Sequence, residues 1–422
     1  MEHPSPDLPA RHHATGRFRS ALAVAPVGSL AVVTASCSSS SSAPATTPAT
    51  TPATTGGPST TATTRAATSG LPPIRHVFVI VLENEGYAAT FGNPAADPYL
   101  ATTLTAQGAT LTDYYGIGHA SNGNYIALVS GQAPNPSNQS DCQVFADFPT
   151  GTSIAPGGQI DGSGCVFPSK VKTVADQLDT AHLTWKGYME SMGNIASRES
   201  AVCGHPELGS VDHTQRAVHG DAYATRHNPF VYFHSIIDSA DCARQVVDLS
   251  VLGTDLATTA GTPNLAYIVP DLCNDGHDGT CADGSQGGPA RADAWLRAWV
   301  PKILASPAMT AGGLLIVTFD EAEASGKHAD ATGCCGNLPT PNLAGQAGIS
   351  GPGGGRVGAV LIGSAITPGS VTATAYNHYS LLCSLERLWG LQLLGYAGHP
   401  ATPCFGTDVY TADPSFATNA TG

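Results

Sequence analysis

Residues 76–84 read HVFVIVLEN, and residues 314–321 read LLIVTFDE. Each is an apolar run that stops on two oxygen-bearing residues: Glu83-Asn84 in the first, Asp320-Glu321 in the second. Unbroken apolar runs suit strands buried on both faces of a parallel sheet, where strict alternation is lost. Leu265–Val269 (LAYIV) and Val357–Ile362 (VGAVLI) have the same character. Helical patterns fall at Val171–Leu178, Arg291–Leu304 and Tyr379–Leu391. In the last, Leu381, Leu382, Leu385, Leu388 and Trp389 keep to one helical face. Strands alternating with helices predict an α/β fold, a three-layer sandwich on a mostly parallel central sheet. The Gly/Pro-rich stretches 279–289 and 332–355 predict long loops.

In open α/β sheets the chemistry collects just beyond the carboxyl ends of the strands. Glu83, Asn84, Asp320 and Glu321 all stand there. Taken singly, such acids more often cap helices or sit solvated in loops. Two pairs at the ends of two apolar strands converge more readily on one hard cation: Ca²⁺, Mg²⁺, Mn²⁺, or Zn²⁺ with a histidine added. Ser121 lies between them in Gly118-His119-Ala120-Ser121-Asn122-Gly123-Asn124-Tyr125, ahead of an apolar run. A serine in a small-residue turn before a helix exposes its hydroxyl, beside backbone N–H groups that favour a phosphate. Contact with a metal would make that hydroxyl a nucleophile. The plain alternative is an ordinary N-cap serine. Histidines number 15, many for a chain so poor in charge. His227, His277 and His378 each neighbour an Asn or Asp and read as the rim of a site.

These blocks resemble the phosphoesterase family of bacterial acid phosphatases and phospholipases C, within the alkaline-phosphatase-like superfamily. Glu83-Asn84 with Phe91-Gly92 is similar to its E-N-x-x-[FY]-x-x-x-F-G opening. Residues 119–125 are similar to its H-x-S-x-x-N-Y segment. Blocks at 184–190, 226–230, 274–278, 318–321 and 377–382 follow in family order, so the resemblance covers roughly residues 74–392. It implies an alkaline-phosphatase-like fold and a metal-dependent phosphoesterase. Glu83, Asn84, Asp320 and Glu321 would hold the metal, and Asp275 and Asp278 would add ligands. Ser121 would be the nucleophile, passing through a phosphoserine. His119, His227, His277 and His378 would surround the phosphate or the leaving group. Tyr87, where phospholipase C members often carry Arg-Ser-Phe-Asp after the Glu-Asn pair, points to the acid-phosphatase branch. Gly123 replaces a frequent proline there.

Composition bounds the rest. The chain has 422 residues, 42% of them hydrophobic, and only 12% charged against about 25% in ordinary domains. That excludes a coiled coil and a wholly disordered chain. Its net charge of −14 argues against general nucleic-acid binding, which depends on neutralising phosphates. Residues 1–36 join a basic start to an apolar stretch too short to span a bilayer, as a signal peptide does. Ala35-Ser36 before Cys37 resembles a bacterial lipoprotein cleavage site, which would anchor the mature chain to a membrane by lipid. Residues 37–70 are a Ser/Thr/Pro/Ala tether, and 71–415 the catalytic domain. The 11 cysteines leave ten once Cys37 is set aside, an even number for an exported protein. Cys273 and Cys281 bracket the His277 loop and could staple it. The adjacent Cys334 and Cys335 are expected to take separate partners. Val144-Phe145 and Val166-Phe167 are the few candidates for apolar loop tips, so a monoester is expected over a phospholipid.

Three other chemistries lack their patterns. An α/β-hydrolase elbow needs glycine at position 119. The zincin H-E-x-x-H and P-loop patterns do not occur. Gly353–Gly358 spells G-x-G-x-x-G but leads into a strand rather than a helix. The remaining alternatives are a phospholipase C and a non-catalytic binding lipoprotein. The latter gives no reason for acid pairs at strand ends.

Overall fold

The structure, a computed structural model, describes residues 71–411. The expected signal peptide at 1–36, the tether at 37–70 and residues 412–415 lie outside the described residues. Eight strands form one sheet: β1 (His76–Leu82), β2 (Ala109–Leu111), β3 (Trp185–Met189), β4 (Val246–Asp248), β5 (Leu265–Val269), β6 (Gly313–Phe319), β7 (Ala359–Gly363) and β8 (Val371–Thr372). Their spatial order is β8-β2-β7-β6-β1-β5-β3-β4. The pairs β6-β1, β1-β5, β5-β3, β3-β4 and β2-β8 are parallel. Every residue of β1, β5 and β6 is buried. Successive side chains on a strand point to opposite faces, so both faces of this sheet are covered. That is the three-layer α/β arrangement the apolar runs predicted. Each fully buried Val, Ile or Leu contributes roughly 1.5–3 kcal/mol.

One expectation fails. The run at 357–362 was read with the parallel strands, but β7 runs antiparallel to both neighbours. The chain leaves β6 at its carboxyl end and wanders through the Gly-rich loop with no crossover helix. It re-enters at that same end and therefore runs back.

Four helices of seven residues or more matter here: α1 (Ser121–Ser130), α2 (Val174–Thr180), α3 (Pro289–Leu304) and α4 (His378–Leu388). All ten residues of α1 are buried, and α1 packs on α4. Gly131 ends α1 at φ +66, a left-handed turn glycine takes without strain. A Cβ there would meet the Leu394 carbonyl at 2.3 Å. Asn377 caps α4 reciprocally with Ser380. Among the described residues, no helix is long and apolar enough to cross a membrane.

The ten described cysteines form five disulfides: Cys142–Cys165, Cys203–Cys242, Cys273–Cys281, Cys334–Cys335 and Cys383–Cys404. The staple across the His277 loop is present. Cys334 and Cys335 pair with each other, against expectation. The other eight cysteines satisfy one another, which leaves these two neighbours for each other, with Cys335 in the left-handed region (φ +61). The apolar loop tips also fail: Phe145, Val166 and Phe167 are fully buried, and Val144 alone stands out.

Candidate active site

Strand register places the ligands. Leu82 of β1 pairs with Phe319 of β6, so Glu83 and Asp320 leave the sheet side by side. The Asp320 amide then donates to the Leu82 carbonyl at 2.9 Å. On the other flank of β1, the chain leaving β5 reaches Asp275, whose carbonyl accepts from the Glu83 amide at 2.9 Å. Three neighbouring strands thus deliver three carboxylates to one edge. Asn84 is left-handed (φ 56), which asparagine tolerates better than most residues, and its amide donates to Asp320 Oδ1 at 3.0 Å.

Ser121 is the first residue of α1, and its hydroxyl donates to Glu83 Oε2 at 2.9 Å. The same oxygen accepts from Asn84 Nδ2 at 3.2 Å and lies 3.3 Å from His227 Nε2. His227 Nδ1 lies 3.7 Å from Asp275 Oδ2. Glu83, His227 and Asp275 offer three ligand atoms within 4.8 Å of one another, all from buried residues. Asn124 ties Glu321 to the serine turn. Its Nδ2 donates to Glu321 Oε2 at 2.7 Å, and its Oδ1 accepts from the Ile117 and Gly118 amides at 2.7 and 3.1 Å.

The electrostatics of this edge favour a cation. Glu83, Asp275, Asp320 and Glu321 are all buried. Burial pushes the Asp275, Asp320 and Glu321 carboxyls well above their usual range, and the charge of Glu83 adds to it. Burial also pushes Glu83 up, but His227, Arg226 and His277 overcome it and hold Glu83 low. Glu83 Oε1, Asp275 Oδ2 and Asp320 Oδ2 are buried with no hydrogen-bond partner among the described residues. Orphaned buried carboxylate oxygens facing one another are costly unless a cation joins them. A set of carboxylates, one amide, one hydroxyl and one imidazole fits a hard divalent ion.

Most expected residues meet here, with two corrections. His378 is fully buried, with Nδ1 3.0 Å from the Tyr114 hydroxyl and Nε2 2.5 Å from the Asp320 carbonyl. Both ring nitrogens are engaged, so it braces the turn after β6 instead of lining a phosphate. Asp278 does not join the buried carboxylates. Gly276 at φ +108 turns Asp275 inward and the next two residues outward. Asp278 Oδ1 then lies 2.8 Å from Nδ1 of the half-exposed His277. His119 is buried two residues from Ser121, with neither ring nitrogen hydrogen-bonded among the described residues. The amide of Asn122 is not free for phosphate, because it donates to Asp141 Oδ1 at 3.0 Å.

Several contributors went unassigned in the sequence. Arg226 is a buried cation facing Glu83, Asp141, Asp275 and Asp212. Tyr125 stacks on His227, with ring centroids 5.1 Å apart. Asp141 arrives from a disulfide-bound loop with no local signal. Arg226 had one: it adjoins His227 in a chain with few cations.

Residues 95–392 match the Phosphoesterase family. The chain belongs to that family. An acid phosphatase of Aspergillus fumigatus is 27% identical over 321 residues, covering 75% of this chain and 55% of that protein. A phosphate-repressible acid phosphatase of Penicillium chrysogenum is also 27% identical, with 75% and 59% covered. The chain therefore spans little over half the length of these fungal relatives. A phosphatidylinositol-3-phosphatase of Mycobacterium tuberculosis is 27% identical over 342 residues, covering 81% of this chain and 86% of that one. Among solved structures, a protein of the alkaline phosphatase superfamily from Vibrio parahaemolyticus aligns with a TM-score of 0.48 at 14% identity. That alignment covers 81% of this chain and 73% of the other.

Proposed function

We propose that this protein is a metal-dependent phosphomonoesterase that works through a phosphoserine at Ser121. The observation that carries the reading is the contact of the Ser121 hydroxyl with Glu83 at the carboxyl edge of the sheet, among orphaned carboxylate oxygens. Glu83, Asn84, Asp320 and Glu321 would hold a divalent cation, with His227 and Asp275 beside them. That cation would lower the hydroxyl pKa and neutralise non-bridging phosphate oxygens.

The chain's own residues do the rest. Ser121 Oγ attacks phosphorus in line as the bond to the leaving oxygen breaks. His119 contacts the phosphate, and His277, half-exposed at the mouth, gives the leaving oxygen its proton. Arg226 offsets the acidic surroundings, while Asn124 fixes the serine turn against Glu321. Water then attacks the phosphoserine and releases phosphate, so two inversions leave net retention at phosphorus.

A phosphomonoester is favoured over a phospholipase substrate because Phe145, Val166 and Phe167 are in the core. A monoester carried on an inositol lipid stays within the class, as the name of the mycobacterial relative indicates for that protein. Five disulfides support an extracytoplasmic location. The test is hydrolysis of an aryl phosphate with and without chelator, wild type beside Ser121→Ala. Metal-dependent turnover lost in the variant supports the reading. Absence of turnover under every divalent metal would leave a binding protein.

A further inference from the structure

Beside the carboxylate cluster lies a cleft of about 380 Å³, walled by Gln215, Arg216, Arg226, Leu272, His277 and Asp278. It adjoins the proposed centre through two short links. Arg226 precedes His227 in the chain, and the His277 amide donates to Asp275 Oδ1 at 2.9 Å. A leaving group bound to a phosphate at Ser121 has this space open to it.

The two arginines of the cleft differ. Arg226 is buried, donates to the Gln215 carbonyl at 2.9 Å and answers four carboxylates of the interior. Its charge is already matched. Arg216 is exposed, and its guanidinium has no hydrogen bond or ion pair among the described residues. Yet its backbone is held firmly. Arg198, nearly buried and paired with Asp221 at 3.1 Å, donates to the carbonyls of His213 and Arg216 at 3.0 and 2.8 Å. Asp278, the acid of the cleft, is engaged by His277. A braced loop thus presents an unmatched cation to the space beside the centre.

We infer that Arg216 makes this cleft a subsite for a second anionic group on the leaving alcohol. The preferred substrates would be phosphomonoesters whose alcohol carries a further phosphate. A soluble bisphosphate and a phosphorylated inositol lipid both have that chemistry. This inference rests on the reading of the centre as a phosphomonoesterase. A guanidinium meets phosphate through paired, charge-assisted hydrogen bonds, and an exposed one is sensitive to salt.

The experiment compares kcat/KM for fructose bisphosphate and fructose monophosphate, and for phosphatidylinositol 3-phosphate in phosphatidylcholine vesicles. Wild type should prefer the bisphosphate, and the preference should shrink as salt rises. Arg216→Ala should cut it about tenfold, or about 1.4 kcal/mol. Arg216→Lys should keep part of it. Arg244→Ala, an exposed arginine outside the cleft, serves as the control for a general charge effect. Loss on both substrate arms supports recognition of the second anion itself. Loss on vesicles alone assigns it to a lipid headgroup. An Arg216→Ala protein equal to wild type on both substrate arms overturns the inference and leaves the proposed function standing. No turnover of any substrate overturns both.

Discussion

Asn124 joins the serine turn to a candidate metal ligand, and replacing it with alanine has a calculable cost. The side chain is fully buried and reaches five partners, but its NH2 has two hydrogens for three acceptors, so the Ala120 carbonyl, the longest at 3.3 Å, only shares one. It accepts from two backbone amides, donates to the Gly118 and Ala120 carbonyls, and donates to Glu321 Oε2 at 2.7 Å. A net neutral hydrogen bond contributes about 1 kcal/mol, and one to a charged group about 2. Three full neutral bonds and one to the carboxylate sum to about 5 kcal/mol. Water entering the vacated space recovers part of it, so Asn124→Ala should cost about 3–4 kcal/mol. That is a large share of the 5–15 kcal/mol typical of a domain. Urea unfolding of oxidised, chelator-treated protein measures it. The same change frees residues 117–121, and a displacement near 1 Å of Ser121 should slow aryl phosphate turnover about a hundredfold. Asn124→Asp should do no better, because it sets a carboxylate against Glu321. A loss below about 1 kcal/mol, with turnover intact, would refute this assignment of Asn124.

Glu83→Gln and Asp320→Asn should each lose bound divalent metal and turnover together; elemental analysis after gel filtration checks this, and metal retained at wild-type stoichiometry would contradict it. Glu386 is fully buried, and burial pushes its carboxyl up to about 9. The folded state therefore holds a proton that the unfolded chain releases above about 4.5, so stability from this group falls as pH rises through that window. Glu386→Gln should match wild type near pH 4.5 and exceed it by up to about 5 kcal/mol at pH 8 in urea unfolding, by the usual conversion of pKa shift to energy. Opening the Cys273–Cys281 staple by replacing both with serine should cost about 2.5 kcal/mol on chain-entropy grounds, and raise KM more than it lowers kcat.

The parts of this molecule legible in the sequence are those set by long apolar runs and their ends. HVFVIVL became β1 with its predicted bounds, and LLIVTF became β6 with one residue added. Because the two strands are register neighbours, Glu83 and Asp320 met as their positions implied. Shorter strands carried no such signal. Trp185–Met189 mixes Lys and Gly with aromatics, and β2, β4 and β8 have two or three residues each. Strand direction at β7 depended on where a long loop returned, which local pattern does not encode. The site divides similarly. A residue type at a strand end marked Glu83 and Asp320, and a small-residue turn before a helix marked Ser121. The inward or outward sense of Asp275 against Asp278 depended on one backbone angle at Gly276. His378 had the right neighbours but sat on the inner side of its helix, where Tyr114 and a carbonyl took both nitrogens.

The most direct test of the account is acid quenching of the enzyme during turnover of an aryl phosphate, followed by mass analysis of the peptide that holds Ser121. The account predicts a phosphoserine at that residue, formed only with divalent metal present. Rapid turnover with Ser121 unmodified at every quench time would contradict it.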